Sequence, residues 1–241
     1  DFPLEFFVRF FRNHGLLSLK DRPQWRVVDG GSREYLAPLT QRVADSIRTR
    51  MPVSRILRPP GKPVVVQFTN GLMREFDEVV IATHSDEALK MLGDPTDHEK
   101  AVLGAMPYRD NEVILHTDTR LLPKTQRAWS SWNYRLKPGN GRATVTYIMN
   151  ILQGIDAPET FCVTLNDTAS INPHRILGRF NYAHPQFTLE GMQAQQRWAD
   201  INGHNGTWFC GAYWQNGFHE DGLASGLRVA ESLCSARQMA A

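Results

Sequence analysis

The sequence predicts an α/β fold in two interleaved parts, and three patterns along its 241 residues support that prediction. Apolar residues recur at helical spacing near both ends of the chain. Two near-continuous apolar runs, Glu78–Thr83 and Thr207–Ala212, are typical of buried strands. Between these runs, short strand-like segments with short or Gly/Pro-rich turns predict a mixed, mainly antiparallel sheet with flanking helices.

The N-terminal segments predict helix, strand and helix in that order. Leu4–Leu17 predicts a helix in which four phenylalanines form one broad apolar face, and we expect that face to pack in the core, with lipid binding as the alternative. Trp25–Val28 predicts a short strand. A helix is expected from about Arg33 to Thr49, because apolar residues there have helical spacing. Those residues are Leu36, Leu39, Val43 and Ile47.

The next segments predict a hairpin and a buried strand. Strands are predicted at Val53–Leu57, Val64–Phe68 and Leu72–Phe76. Asn70 and Gly71 predict a type I′ turn between the last two, because both residue types tolerate positive φ. Glu78–Thr83 predicts a strand that is buried on both faces. Ser85 is expected to cap a helix over 86–92.

The rest of the chain predicts five further strands, a buried strand and two helices. The five strands are expected at Glu112–His116, Ala128–Tyr134, Ala143–Met149, Phe161–Leu165 and Leu177–Tyr182. A helix is predicted over Leu189–Ile201, and a final helix runs from His219 to about Ser235.

Charge, hydropathy and cysteine spacing exclude several classes of protein. The net charge of +2 (27 − 25) gives no support to a nucleic-acid-binding protein. No apolar run approaches the roughly 18 residues of a spanning helix. Cys162, Cys210 and Cys234 are widely separated and form no C-x-x-C pair. They fit reduced thiols in a cytoplasmic protein better than a disulfide framework or a zinc site.

The start of the final helix is the strongest candidate for a ligand site. A helix that follows a buried strand presents free N–H groups and the positive end of its dipole. Gly217, Gly222 and Gly226 let a ligand or another backbone approach, although tight helix–sheet packing explains them equally well. The apolar side of the helix is expected to face the sheet. That side comprises Leu223, Leu227, Ala230 and Cys234.

Other polar clusters allow alternative functions. His219-Glu220-Asp221 contains metal-binding residue types, but adjacent helix positions point in different directions, which disfavours a metal site. His84 and His184 follow strands and are either turn histidines or pocket residues, with the turn role favoured.

The final segment resembles the C-terminal motif of the flavin-containing amine oxidase superfamily, in which Gly-aromatic-x-Glu opens a helix facing the flavin. Gly217-Phe218-His219-Glu220 matches it. Gly30-Gly31-Ser32 is similar to the superfamily's Gly-Gly turn, and Val53 lies in the strand whose backbone meets the adenine. Val80–Thr83 is similar to the strand beside the cofactor diphosphate.

A closer resemblance is to a subfamily of FAD/NAD-binding, amine-oxidase-like proteins that are often found near cyclopropane fatty-acid synthases. Four runs support it and extend the likeness over essentially the whole chain. They are Ile81–Asp86, Asn111–Thr117, Trp129–Tyr134 and Trp208–Trp214.

The resemblance implies an FAD-dependent oxidoreductase that transfers hydride from a small or lipid-like substrate to flavin N5. It implies a set of cofactor-binding residues: Gly30, Gly31, Val53, Ala82, Thr83, Gly211, Gly217, Phe218, His219, Glu220, Asp221, Gly222 and Leu223. Phe218 and Tyr182 resemble the aromatic walls of the substrate site, and Trp132, Tyr134 and Tyr147 would line an apolar pocket. Asn111-Glu112 stands where amine oxidases carry a lysine.

The sequence contains no G-x-G-x-x-G, the motif that cradles the FAD diphosphate. We therefore expect a C-terminal fragment of a flavoprotein, inactive alone and with weak or no FAD binding. Residues 26–83 and 206–241 are expected to form a partial FAD-binding, NAD(P)-binding Rossmann-like domain, and residues 1–25 and 84–205 a substrate domain. An exposed sheet edge would need the missing N-terminal half or self-association to cover it. A cofactor-free binding module and a membrane-peripheral lipid-modifying flavoenzyme are the alternatives.

Overall fold

The computed structural model describes residues 3–21, 24, 26–136 and 144–240. The chain divides into two compact units. The first comprises Asp1–Gln24, Val43–Tyr108 and Pro185–Ala241, and the second comprises Trp25–Arg42 and Arg109–His184. The functional division into a cofactor domain and a substrate domain stays a prediction.

The described residues form a mixed α/β structure, as the sequence predicts. The helices are α1 (Leu4–Asn13), α2 (Leu36–Thr40), α3 (Ser85–Met91), α4 (Asp97–Leu103), α5 (Met149–Gln153), α6 (Leu189–Gln195) and α7 (His219–Ala240). The strands are β1 (Val53–Leu57), β2 (Val64–Phe68), β3 (Met73–Phe76), β4 (Val79–Ile81), β5 (Tyr108–His116), β6 (Trp132–Arg135), β7 (Thr144–Ile148), β8 (Cys162–Leu165), β9 (Ile176–Pro185) and β10 (Thr207–Phe209). Within this described part of the chain, no helix has the length and apolar character to span a membrane.

The first unit contains two small sheets. Strands β1, β2 and β3 form an antiparallel sheet, whereas β4 and β10 pair in parallel. The hairpin between β2 and β3 is present, but its turn differs from the type I′ prediction. The Gly71 N–H donates to the Phe68 carbonyl, and Gly71 alone adopts a positive φ, of 84°. The loop therefore has three residues, with glycine at the left-handed position.

The core of the first unit lies around β10. Phe209 is fully buried, and Trp208 packs beside it with its indole N–H bonded to the Glu78 carboxylate at 2.8 Å. Strand β4 departs from the prediction of burial on both faces, because the Val80 side chain is 44% exposed. Strand β10 is thus buried on both faces, and the exposure of the parallel pair is confined to Val80 on β4.

Helix α3 begins without the predicted cap. Ser85 is fully buried, and its hydroxyl donates to the Met106 carbonyl at 3.0 Å instead of capping the helix. This bond joins the start of α3 to the segment that connects α4 with β5. The cap residue is His84, whose ring stacks on Tyr108 with centroids 4.3 Å apart.

The second unit contains a five-stranded antiparallel sheet in the order β6-β7-β8-β5-β9. Its buried face carries a polar chain: the Thr146 and Thr164 hydroxyls are 2.8 Å apart, and His116 Nε2 is 2.7 Å from Thr164 Oγ1. The Asp118 N–H donates to His116 Nδ1, so Nδ1 is the acceptor and Nε2–H is the donor to Thr164. Burial lowers the pKa of His116, which keeps the ring neutral.

Two predictions for residues 25–49 are wrong or incomplete. Arg26–Val28 forms no strand, and Trp25 lies outside the described residues. The predicted helix is divided into a 3-10 turn, the short α2 and a second 3-10 segment, Gln41–Ser46. Pro38 prevents a regular α-helix upstream of α2, because proline lacks an N–H and clashes with the carbonyl four residues earlier. The apolar positions of this segment are all exposed, so no burial stabilises it.

Candidate functional site

The carboxyl ends of the two parallel strands meet at one edge in the first unit. The Cys210 N–H donates to the Ile81 carbonyl at 3.1 Å, which continues the pairing of β4 and β10. A Cβ built on Gly211 would lie 3.4 Å from the Thr83 carbonyl oxygen. The structure therefore brings Ala82, Thr83 and Gly211 together, at the edge where open α/β sheets bind ligands.

Gly211 is required by packing inside the chain. A Cβ at this position would lie 2.5 Å from a ring carbon of the buried Tyr213, closer than van der Waals contact allows. The Gly211 N–H donates to the Ser225 hydroxyl at 3.0 Å, which fastens the strand end to α7. Burial raises the pKa values of Cys210 and Tyr213, so both groups beside Gly211 stay neutral.

The start of α7 is organised by Asp221. This buried carboxylate accepts the Phe218 N–H at 2.9 Å and the Asn216 N–H at 3.2 Å through Oδ2. An acid in the third helical position that reaches back to the cap residue is half of a capping box. Gly217 enters the helix with φ of 90°, a conformation that favours glycine.

The residues before and within the first turn of α7 are accessible. Gly217, His219 and Glu220 are exposed, and Phe218 is 42% exposed. First-turn N–H groups have no acceptor within a helix, and the dipole places partial positive charge there. This arrangement can bind an anion or stabilise negative charge that develops on a nearby ring.

The predicted orientation of α7 is wrong. Leu223 and Leu227 are 56% and 54% exposed, and Ala230 and Cys234 are exposed with them. The buried side carries Asp221, Ser225 and Val229. Asp221 and Ser225 can face inward because each accepts backbone N–H groups, which removes the cost of burying a polar side chain.

Two glycines of α7 border open space. A Cβ on Gly226 would have no neighbour within 4 Å, and one on Gly222 would meet only Ala212, at 3.9 Å. Packing within the described chain therefore does not explain these glycines, unlike Gly211. Approach of a ligand or another backbone to Gly222 and Gly226 stays a prediction.

The other candidate cofactor residues lie elsewhere. Gly30 and Gly31 form a turn in the second unit, with φ of 80° and 94°, and the Gly31 N–H donates to the Val28 carbonyl. Val53 begins β1, in a different sheet from β4 and β10, and packs against the core of the first unit. A cofactor role for Gly30, Gly31 and Val53 stays a prediction from the family resemblance.

The predicted substrate residues of the second unit share one face of its sheet. Trp132 lies directly opposite Tyr147, and Tyr147 opposite Val163. Tyr134 follows on the same side of β6 by strand alternation. Tyr182 stacks on Phe180 with centroids 5.8 Å apart. A Cβ on Gly178, two residues before Phe180, would lie 3.9 Å from Leu115 Cβ, which assigns β9's aromatics to the same face.

Phe218 belongs to the first unit, whereas Tyr182 and the aromatic sheet face belong to the second. Its neighbours are two residues of the first helix region: the Phe10 ring is 6.0 Å away and the His14 ring 5.0 Å away, centroid to centroid. The sequence analysis did not single out His14, because Asn13-His14-Gly15 gives only the signal of a helix end. No group of three potential metal ligands occurs among the described residues.

A model of the family described as flavin containing amine oxidoreductase matches residues 10–234. This match covers most of the sequence. The chain belongs to the flavin-containing amine oxidoreductase family. No curated protein gives a significant match to the sequence.

Solved structures show the same fold at low sequence identity. Cyclohexylamine oxidase from Brevibacterium oxydans matches with a TM-score of 0.60 and 12% identity, over 99% of this chain and 61% of its own. Wild-type putrescine oxidase bound to putrescine matches with a TM-score of 0.55 and 12% identity, over 86% and 53%. A CLA-producing fatty acid isomerase from P. acnes matches with a TM-score of 0.50 and 15% identity, over 71% and 44%. The chain spans about half the length of these structures.

The start of α7 has two features that are compatible with a flavin. Its exposed first turn suits the electron-rich edge of the ring, and Gly222 and Gly226 place no side chain on the helix surface, next to open space. The fit is partial, because the sequence provides no G-x-G-x-x-G for the diphosphate.

Proposed function

We propose that the chain provides part of an FAD-dependent oxidoreductase, with the flavin ring at the start of α7. The observation that supports it is the meeting of the β4 and β10 carboxyl ends with an accessible helix start. Hydride acceptance at flavin N5 is the chemistry that a bound cofactor would supply. The chain's own part is to position the ring and to stabilise the negative charge that develops on its pyrimidine edge.

The proposed contacts follow from exposure. Phe218, His219 and Glu220 are exposed at the helix start, and Gly217, Gly222 and Leu223 border them. Asp221 would act through its bonds to the Asn216 and Phe218 N–H groups, which hold the turn in place. Thr83 and Ala82 would lie beside the cofactor at the strand edge. Gly30, Gly31 and Val53 complete the proposed set from the family resemblance.

We further propose that the substrate is small or lipid-like and contacts aromatic side chains. In the second unit, Trp132, Tyr134 and Tyr182 are each more than half exposed on one sheet face, beside the partly buried Tyr147. In the first unit, Phe218 presents a ring at the helix start. Exposed aromatic faces of this kind bind apolar groups and flat rings.

Exposed apolar side chains on β4 and α7 support a partner for this part of the fold. Val80 on β4 and Leu223 and Leu227 on α7 leave apolar surface uncovered in the first unit. We propose that another polypeptide segment covers it, supplying the diphosphate-binding motif that these 241 residues lack, with self-association as the alternative. The division into cofactor residues 26–83 and 206–241 and substrate residues 1–25 and 84–205 is part of this proposal, as is a cytoplasmic location.

Flavin binding by the chain itself is the test. The protein would be incubated with FAD and passed over a gel-filtration column, and retained bands near about 370 and 450 nm would show tight binding. We expect weaker binding, seen as saturable quenching of FAD fluorescence at equilibrium. No quenching at millimolar FAD would overturn the proposal for this chain and favour a cofactor-free binding module.

A membrane-peripheral lipid enzyme is the second candidate, and α1 is the observation that favours it. Leu4, Phe7 and Val8 are exposed beside Arg9 and Arg12, which suits the surface of an anionic bilayer. Co-sedimentation with phosphatidylglycerol vesicles tests this candidate. Absence of the protein from the vesicle pellet, with neutral vesicles as the control, would remove it.

A further inference from the structure

A polar cavity of the second unit has no role in the proposed function. Its volume is about 470 Å³, a size that suits a small organic molecule. It lies between the segment after β5, the segment before β8 and the segment before β9. Every side chain of its lining except that of Pro158 is polar. The cavity therefore offers a ligand hydrogen-bonding and charged groups rather than an apolar surface.

The buried Asp118 carboxylate organises one part of this lining. It accepts hydrogen bonds from Arg120 Nε at 2.9 Å and Nη2 at 2.6 Å, and from the Asn172 N–H at 2.7 Å. The hydrogen bonds from Arg120 lower the pKa of Asp118 well below its usual range, so the carboxylate stays ionised and offsets the Arg120 charge. Arg120 Nη1 has no acceptor within the described part of the chain, so it can still donate to a ligand.

Two opposite charges in the lining have no partner. The Arg175 guanidinium and the Glu159 carboxylate are exposed, and neither group forms a hydrogen bond or an ion pair with the residues that the structure describes. The backbone of each residue is nevertheless held in place. The Arg175 carbonyl accepts the Thr117 N–H at 3.0 Å. The Glu159 carbonyl accepts a hydrogen bond from Asn150 Nδ2 at 2.9 Å. The cavity thus presents one positive and one negative group from fixed backbone positions.

We propose that this cavity binds a small zwitterion, a molecule that carries one carboxylate and one ammonium group, as a free amino acid does. The ligand carboxylate would accept hydrogen bonds from Arg175 and from Arg120 Nη1, and the ammonium group would donate to Glu159. Arginine suits the first contact because its planar guanidinium can donate two parallel hydrogen bonds to a carboxylate. Three threonine hydroxyls in the lining can bond the rest of a polar ligand.

The charge balance of the lining favours a zwitterion over a simple anion or a simple cation. Asp118 offsets Arg120. The charges that remain are those of Arg175 and Glu159, one of each sign. A simple anion at Arg175 would place a second negative charge near Glu159, and a simple cation at Glu159 would leave Arg175 unpaired. A zwitterion satisfies both groups and leaves the occupied cavity neutral.

Amide NMR of the full chain, without FAD, measures the binding of three matched compounds. L-serine is a zwitterion, glycerate has a hydroxyl in place of the ammonium group, and serinol has a hydroxymethyl group in place of the carboxylate. We expect L-serine to cause saturable shifts of the Thr117, Thr119 and Thr160 signals. Glycerate and serinol should each bind about 10- to 100-fold more weakly, because each lacks one charged hydrogen-bonding group.

Single substitutions assign the two contacts. Arg175→Gln should remove most of the preference for L-serine over serinol, because the carboxylate loses a charged partner. Glu159→Gln should remove most of the preference for L-serine over glycerate. Arg179→Gln is the matched control, because this exposed arginine of β9 lies outside the cavity lining and should leave all three affinities unchanged. Unaltered amide signals in the rest of the chain would show that the variants keep their fold.

Several results would overturn the proposal. If L-serine caused no saturable shift at the threonines, the cavity would not be a zwitterion site. Glycerate binding as tightly as L-serine would make it a plain anion site, and serinol binding as tightly would make it a plain cation site. Equal affinities in Arg175→Gln and Arg179→Gln would remove the carboxylate contact. Because the titrations contain no FAD, they test this cavity independently of the proposed flavin-dependent function.

Discussion

The five-stranded sheet of the second unit and the parallel pair of the first unit differ in which side chains they bury and which they leave exposed. In the five-stranded sheet, one face buries a hydrogen-bonded chain of His116, Thr164 and Thr146. In the parallel pair, Phe209 is fully buried while Val80 on the adjacent strand is 44% exposed. Parallel sheets are normally covered on both faces. The contrast is that the antiparallel sheet buries one face and leaves Trp132, Tyr134 and Tyr182 more than half exposed on the other, whereas the parallel pair buries all of β10 and exposes Val80 on β4.

The covered side of the parallel pair gives the largest expected effect. Replacing Phe209 with alanine should lower the free energy of unfolding by about 3–5 kcal/mol, because a fully buried ring leaves a cavity. Urea unfolding measures it. Phe218→Ala is the matched control, and its half-exposed ring should cost far less. Equal costs for the two variants would mean that the burial contrast is wrong.

Removing a hydroxyl from the polar chain should give the next largest loss of unfolding free energy. Thr164→Val leaves the His116 Nε2–H without its acceptor and should cost about 1–3 kcal/mol in unfolding free energy. Adding Thr146→Val should then cost less than Thr146→Val alone, because the two hydroxyls are bonded to each other. Strict additivity in this double-mutant cycle would show that the chain is not coupled.

The same sheet should make stability depend on pH. Burial lowers the pKa of His116 below the ordinary histidine value of about 6.5, so the unfolded chain takes up this proton at a higher pH than the folded one. The contribution of His116 to the free energy of unfolding is therefore fully present above about pH 6.5. It is lost as the pH falls, by at most about 1.4 kcal/mol per pH unit. Unfolding at pH 7.5 and 5.5 measures it. A slope that His116→Gln leaves unchanged would contradict the assignment.

The smallest expected changes in unfolding free energy are those of alanine substitutions at two glycines of the site. Gly226→Ala should raise the unfolding free energy by about 0.5–1 kcal/mol, because alanine favours a helix and the position borders open space. Gly211→Ala should lower it, because its Cβ would lie 2.5 Å from the Tyr213 ring. Thermal unfolding of both variants gives the two signs. A destabilised Gly226→Ala would show that something in the chain fills that space.

Local patterns in the sequence predict most of the fold, and the errors have both local and long-range causes. The β2–β3 hairpin and the middle strands follow from alternation and turn residues. The helix predicted after Gly31 fails because spacing takes no account of Pro38 or of the absence of a packing surface. The orientation of α7 fails because hydrophobicity alone cannot show that Asp221 and Ser225 have backbone partners inside.

In the candidate site, too, the sequence predicts the local motif but not the contacts between distant segments. The motif Gly217-Phe218-His219-Glu220 is local, and its residues lie at an exposed helix start, where the sequence places them. The pairing of β4 with β10 and the contact of His14 with Phe218 join distant segments. The sequence predicts the residue types of such contacts but not their positions.

An amide NMR titration of the chain with FAD tests the central claim most directly. The account predicts saturable shifts at Thr83, Gly211 and the first turn of α7, with the largest at Phe218–Gly222. Shifts confined to Arg120 and Arg175, which line a polar cavity in the second unit, would contradict it. They would show that the chain binds the cofactor through its phosphates alone, away from the start of α7.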